Sequence, residues 1–173
     1  MKINLYGGPG IGKSTVASLI FAELKILGYN VERVDEYAKE LVYEGIDLKT
    51  VDQSFQDRIF LEQLRREMLY KNKCEILVTD SPLILNCFYN KSNFSKDISK
   101  ESLKEKQIHF FLIRKNENFQ TLGRSHNEVE SLLIDKKMME FLKDSNVDFI
   151  KVEGDSKQKA KTIIKKIMEI LDA

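Results

Sequence analysis

Apolar residues along this chain change period repeatedly, and each change predicts an element. Lys2–Tyr6 (KINLY) is short and alternating, as a first strand would be. Val16, Leu19, Ile20, Leu24 and Leu27 recur at helical spacing from Ser14 to Leu27, and Gly28 follows as a glycine past a last turn. Val31–Val34 (VERV) predicts a second strand, and EYAKELVYEG a short helix closed by Gly45. Thr50 and Gln53 have the spacing of a capping box before a long helix with Val51, Phe55, Phe60, Leu64 and Met68 on one broad face.

Glu75–Asp80 (EILVTD) and Ile108–Ile113 (IHFFLI) are apolar runs, the pattern of strands buried on both faces. Between them, Asn90 to Lys106 is polar and rich in Asn, Ser and Lys, which predicts a loop with at most one short helix. Ser125 and Glu128 make a second capping-box spacing ahead of Val129, Leu132, Leu133, Met139 and Leu142. Phe149–Val152 (FIKV) predicts the last strand, and Ala160, Ile163, Ile164, Ile167 and Leu171 line a final helix.

Strands alternating with helices predict an α/β fold: a five-stranded, mainly parallel sheet with helices on both faces, three layers in all. No repeat and no long linker divides the 173 residues, so 1–173 is expected to be a single domain. Ligands of such sheets sit beyond the carboxyl ends of the strands. The residues after Tyr6, Val34, Asp80 and Ile113 are therefore the candidates for chemistry.

After Tyr6 stands GGPGIGKS, which fits G-x-x-x-x-G-K-[ST] from Gly7 to Ser14. Glycines let a loop fold its consecutive N–H groups around phosphate oxygens. The helix that follows adds its unsatisfied amides and positive dipole end. The motif also sits between a predicted strand and a predicted helix, its proper context. Gly8, Gly10, Ile11, Gly12, Lys13, Ser14 and Thr15 are thus expected to hold the phosphates of ATP. Lys13 would reach the β and γ phosphates, and the Ser14 hydroxyl would ligate Mg²⁺.

Asp80 ends a buried strand, where an acid of a phosphate-loop protein holds magnesium; capping the next helix, which has Pro82 at an early position, is the other role open to it. Asp35 and Glu36 follow the second strand. Either carboxylate could orient an attacking hydroxyl or accept its proton, and acids also suit a helix start. Arg114 and Arg124 bracket KNENFQTLG, a predicted lid over about residues 114–127 in which arginine clamps phosphoryl oxygens; a solvated surface loop is the alternative. Arg58, Arg65 and Arg66 lie on the long helix as a wet face from which one could reach an acceptor. His109 is expected in the core, and nothing pairs His126 with a nucleophile. Tyr37, Phe55 and Phe88 suit core packing or the stacking of a base.

Charge and cysteine content narrow the classes. A net charge of +1 leaves no global basic field for nucleic acid. Cys74 and Cys87 form neither a disulfide scaffold nor a metal-ligand spacing, which suits free thiols in a reducing compartment. No apolar run reaches the roughly 18 residues of a membrane span, and the first residues lack a signal-peptide layout, so a cytoplasmic location is expected.

YGGPGIGKST, VDEYAKEL, LVTDSPLILNCFY and GRSHNEVE…LLIDKKMMEFL together resemble the P-loop nucleoside/nucleotide kinases related to the ribosylnicotinamide-kinase domain of NadR proteins, a group labelled AAA-like that includes phage enzymes. The resemblance spans roughly Met1 to Leu142. It implies a nucleoside/nucleotide-kinase fold, with Glu36 and Tyr37 near the acceptor, Asp80 as the acid after the third strand and Arg124 in the lid. Acceptors in that group include nicotinamide riboside and hydroxymethylated pyrimidine bases within phage DNA. The chain is thus expected to be a kinase moving the γ-phosphoryl of Mg-ATP to a nucleoside- or nucleotide-like acceptor, working as a monomer or homodimer away from membranes. The alternatives are a kinase of 5-hydroxymethyl-pyrimidine bases in DNA, and an NTPase switch with no small acceptor.

Overall fold

The computed structural model describes residues 1–90, 92–114 and 128–172. In chain order these form β1 (Lys2–Tyr6), α1 (Lys13–Ile26), β2 (Val31–Val34), α2 (Tyr37–Tyr43), α3 (Gln53–Tyr70), β3 (Ile76–Thr79), α4 (Leu83–Tyr89), α5 (Asn93–Ser102), β4 (Gln107–Leu112), α6 (Glu128–Asp144), β5 (Ile150–Val152) and α7 (Ser156–Leu171). The sheet order is β2-β3-β1-β4-β5, and every pairing is parallel.

Successive strand side chains point to opposite faces, and both faces are covered. Ile3 and Leu5 of β1, with Phe110 and Leu112 of β4, pack against Val16, Ile20 and Leu24 of α1 and Ile163 and Ile167 of α7. Tyr6 and Phe111 point the other way, onto Ile84 and Leu85 of α4 and Met138 and Leu142 of α6. The apolar runs in the sequence are therefore strands of a middle layer.

Three helical expectations need correction. The cap of α3 is Asp52, whose carboxylate accepts the Phe55 N–H at 2.8 Å. Thr50 instead donates to the Asp47 carbonyl, because it lies two residues ahead of the true cap. The inner face of α3 holds Ile59, Phe60, Gln63 and Glu67, while Met68 is exposed. Two polar residues displace the apolar stripe because each has a fixed partner; for Glu67 it is Lys2, at 2.9 Å.

Likewise α6 buries Ser131, Asp135, Met138 and Leu142 and exposes Val129, Leu132 and Leu133. Asp135 can face inward because it is paired there, as shown below. The one short helix allowed in the polar stretch before β4 is α5, whose buried positions are Ser95 and Ser99 rather than apolar residues. Ser99 donates to the Leu83 carbonyl at 3.1 Å, which fastens α5 to α4. The Ser125–Glu128 box depends on Ser125, which lies outside the described residues. A capping box does open α7, formed by Asp155 and Gln158.

His109 is a packed residue, as expected. Its Nδ1 shares a hydrogen bond of 2.7 Å with the Tyr6 hydroxyl, and burial pushes its pKa down to about 4, so the ring is neutral at pH 7.

The Lys2–Glu67 pair yields a stability prediction. Lys2→Met strands a buried carboxylate and should cost about 3–5 kcal/mol. Lys2→Met with Glu67→Leu should recover most of that loss. Urea unfolding at pH 8 reads both.

Candidate active site

The loop from β1 to α1 turns back on itself at glycines. Gly7 has φ 136°, and a Cβ there would come 2.9 Å from the Ile11 side chain. Gly12, with φ 91°, is the N-cap of α1 and offers no side-chain acceptor to the helix amides behind it; the first turn also holds no acid. The amide-lined, positive end of α1 is therefore left to an outside anion. Lys13 reaches over the loop, donating from Nζ to the Gly7 carbonyl at 2.7 Å, and Ser14 stands in the first turn beside it.

The loop is braced from outside. The Gly8 N–H donates to the Asp135 carboxylate. Asp135 pairs with Arg114 Nε at 2.9 Å, and another Arg114 nitrogen donates to the Pro9 carbonyl at 3.0 Å. A Cβ on Gly8 would meet Asp135 at 2.7 Å and the Ser131 carbonyl at 2.9 Å, so only glycine allows α6 this close. Arg114, a candidate phosphoryl clamp in the sequence, is here engaged with the wall of the loop. Asp135 went unrecognised in the sequence, although an acid four residues after Ser131 and three before Met138 was a signal available on α6.

Asp80 follows β3 and is 3% exposed. Its Oδ1 has no hydrogen-bond partner. It does not cap α4, where Pro82 holds the cap position without a side-chain bond and the Ser81 N–H turns to the Thr79 hydroxyl. Burial, reinforced by the Glu36 charge and opposed by Lys13, pushes the Asp80 pKa up to about 6. A buried carboxylate oxygen left open near Lys13 and Glu36 suits a divalent cation. Among the described residues no group of three or more His, Cys, Asp or Glu could hold a metal by itself. Magnesium does not require one, since it binds through one or two carboxylates together with phosphates and water.

Between the loop and helices α2, α3 and α4 lies a cavity of about 470 Å³. Lys13 and Glu36 both line it. Asp35 does not; it pairs with Arg33 at 2.9 Å and is half exposed. Gln56 of α3 and Asn86 and Tyr89 of α4 complete the wall. Gln56 carries no motif, Asn86 and Tyr89 fall within LVTDSPLILNCFY without a role of their own there, and the turn of each helix selects them. Arg58, Arg65 and Arg66 are not on the cavity wall. Arg66 stacks on the Tyr37 ring at 4.7 Å and pairs with Glu40 and Glu62, Arg65 pairs with Glu62, and Arg58 lies over Phe55. Phe88 packs edge-on against Phe141 and Tyr89. Arg124, His126 and all of the expected lid beyond Arg114 lie outside the described residues.

Residues 2–159 match the model of a family described as an AAA domain. The chain belongs to that family. This AAA-domain chain is also similar to solved structures of deoxyadenosine kinase from M. mycoides. The form with bound dATP is 22% identical, covers 100% of both chains and superposes with a TM-score of 0.54. The form with the product dCMP and a flexible dCDP is 21% identical over 99% of both chains, with a TM-score of 0.53. At that identity the likeness gives the fold, that of a P-loop nucleoside kinase. No curated protein matches the chain. No described helix is long and apolar enough to cross a membrane.

The state of Asp80 can be tested on its own. Its folded pKa lies above its ordinary 3.8, so ionisation destabilises the fold as pH rises through about 6. In metal-free buffer at pH 8, Asp80→Asn should add on the order of 2–3 kcal/mol. Its thermal midpoint should rise by about 5 °C, and at pH 4 the gain should nearly vanish.

Proposed function

We propose that this protein is a kinase that transfers the γ-phosphoryl group of Mg-ATP to a nucleoside- or nucleotide-like acceptor. The observation that carries this reading is the shared cavity. One of its walls is Lys13 and the phosphate loop, and Glu36 stands on the same space from α2. An NTPase switch needs only water beside the terminal phosphate. A cavity of about 470 Å³ opening onto that loop is room for a second substrate. The deoxyadenosine kinases of similar fold hold deoxynucleotides, which favours a nucleoside over other alcohols.

In this reading the α1 amides and Lys13 bind the β and γ phosphates and neutralise the charge that spreads over the transferring group. Ser14 and Asp80 would hold magnesium, which when bound supplies charge neutralisation on the phosphate oxygens. Glu36 accepts a hydrogen bond from the acceptor hydroxyl and takes its proton as the new bond forms. The amides of Gln56 and Asn86 offer donors and acceptors to a base edge, and Tyr89 offers an apolar face. Arg124 would complete the charge clamp from the lid.

The test uses γ-labelled ATP and Mg²⁺ with a panel of deoxynucleosides, ribonucleosides, their monophosphates, nicotinamide riboside and DNA carrying 5-hydroxymethyl pyrimidines. Label should pass to one small acceptor and be lost in Lys13→Ala. Glu36→Gln should lower kcat by about 10²–10⁴-fold with little change in the KM for ATP. Label on DNA alone would replace the small acceptor with a base in a strand. Phosphate released equally with and without every acceptor would overturn the kinase reading.

A further inference from the structure

The inner face of α3 carries a glutamine where the apolar period calls for a hydrophobic residue. Gln63 is 2% exposed. Its Oε1 accepts the Tyr37 N–H at 3.0 Å, and its Nε2 donates to the Asp35 carbonyl at 3.3 Å. These two backbone groups flank Glu36. Glu36 is extended, with φ −68° and ψ 113°, and it is the N-cap of α2. An extended residue presents the carbonyl before it and the amide after it along one edge, where a neighbouring strand would normally bond. The Gln63 amide supplies that partner from a side chain. It also satisfies Tyr37 N–H, a first-turn donor of α2 with no partner inside its own helix.

From this we infer that Gln63 is a positioning residue whose side-chain amide clamps the backbone on both sides of Glu36 and so aims the Glu36 carboxylate into the acceptor cavity. Rotation of the peptide on either side of residue 36 breaks one of the two bonds. Gln63 touches the cavity wall, yet both ends of its amide are engaged on backbone, so its effect passes through Glu36. Arg66 holds the same helix one turn further on. It stacks over Tyr37 at 4.7 Å and bonds both Glu40 oxygens, at 2.7 and 2.6 Å. Residues 63 and 66 share a face of α3, so one helix fixes both the entry and the first turn of α2. Glutamine is suited to this post because it carries a donor and an acceptor at one tip without a charge that burial would penalise.

The inference rests on the reading of Glu36 as the carboxylate that serves the acceptor, and a double-mutant cycle separates the two. Gln63→Met keeps the length of the side chain and removes the amide. Gln63→Asn keeps the amide one methylene short of its partners and serves as the second variant should Gln63→Met not fold. Each is made alone and with Glu36→Gln, and labelled phosphoryl transfer is measured with the nucleoside panel. Either Gln63 variant should lower kcat by about tenfold or more, since small misplacements of a reacting group are costly. The KM for ATP should stay within about twofold, because the phosphate loop is untouched. In the Glu36→Gln background the further loss should be less than about twofold. In the protein without substrate, Tyr37 amide exchange should quicken by about tenfold or more.

Losses that multiply in both backgrounds would overturn the inference, since Gln63 would then act on the acceptor or on the fold at large. Unchanged kcat or unchanged Tyr37 exchange would overturn it too. Wild-type kcat in Glu36→Gln, or no label on any panel member, would fail the reading of the site itself, and the inference with it.

Discussion

Helices occupy both faces of the five-stranded sheet, so its central strands β1 and β3, buried along their length, are open to ligands only at their ends. Parallel pairing puts the carboxyl ends together. Val34 lies opposite Thr79, Asn4 opposite Thr79 on the other side, and Tyr6 opposite Phe111. The segments that follow these strands therefore converge at one edge: the glycine loop, Glu36, Asp80 and Arg114. Residues from Gly7 to Asp135 meet there because parallel pairing sets those strand ends side by side. The phosphate loop in turn depends on this edge for its shape, since Arg114 at the end of β4 and Asp135 of α6 both bond its backbone.

Buried polar groups divide into two kinds in this molecule. Lys2 with Glu67, Arg114 with Asp135, and Gln63 with the backbone around Glu36 are matched, and each ties elements far apart in the chain. Such pairs add little net stability over an apolar core, yet breaking one is costly, so they set which arrangement is allowed. Asp80 is of the other kind, although Asn4 Oδ1 and Glu67 Oε1 are likewise buried oxygens with no hydrogen-bond partner. The Asp80 Oδ1 is left open, and burial with a like charge nearby raises its pKa to about 6. An open oxygen of that sort at a strand end supports the proposal that Asp80 holds a ligand.

The features legible in the sequence are those whose physics is local. A glycine loop between a strand and a helix is shaped by its own backbone, so the place of Gly7–Ser14 between β1 and α1 could be read without any partner. Strand ends could be placed because a doubly covered strand reads as an apolar run, and Asp80 and the Asp35–Glu36 pair followed from those ends. The α3 and α6 faces were misread for one shared reason. Apolar periodicity takes every inward residue to be hydrophobic, and Gln63, Glu67 and Asp135 face inward because of partners elsewhere. Ser99 of α5, bonded to the Leu83 carbonyl, escaped notice on the same ground.

The sequence by itself determined the architecture, the glycine loop between β1 and α1 and the strand ends at which chemistry could occur. Only the tertiary structure decided that Glu36 rather than Asp35 lines the cavity, that Arg114 braces the loop, and that Gln56, Asn86 and Tyr89 complete the wall. The first set depends on spacings within a few residues, which a linear pattern records. The second depends on contacts such as Gly8 with Asp135, 127 residues apart, and Tyr37 with Gln63, 26 residues apart, which exist only once the sheet has brought its edges together.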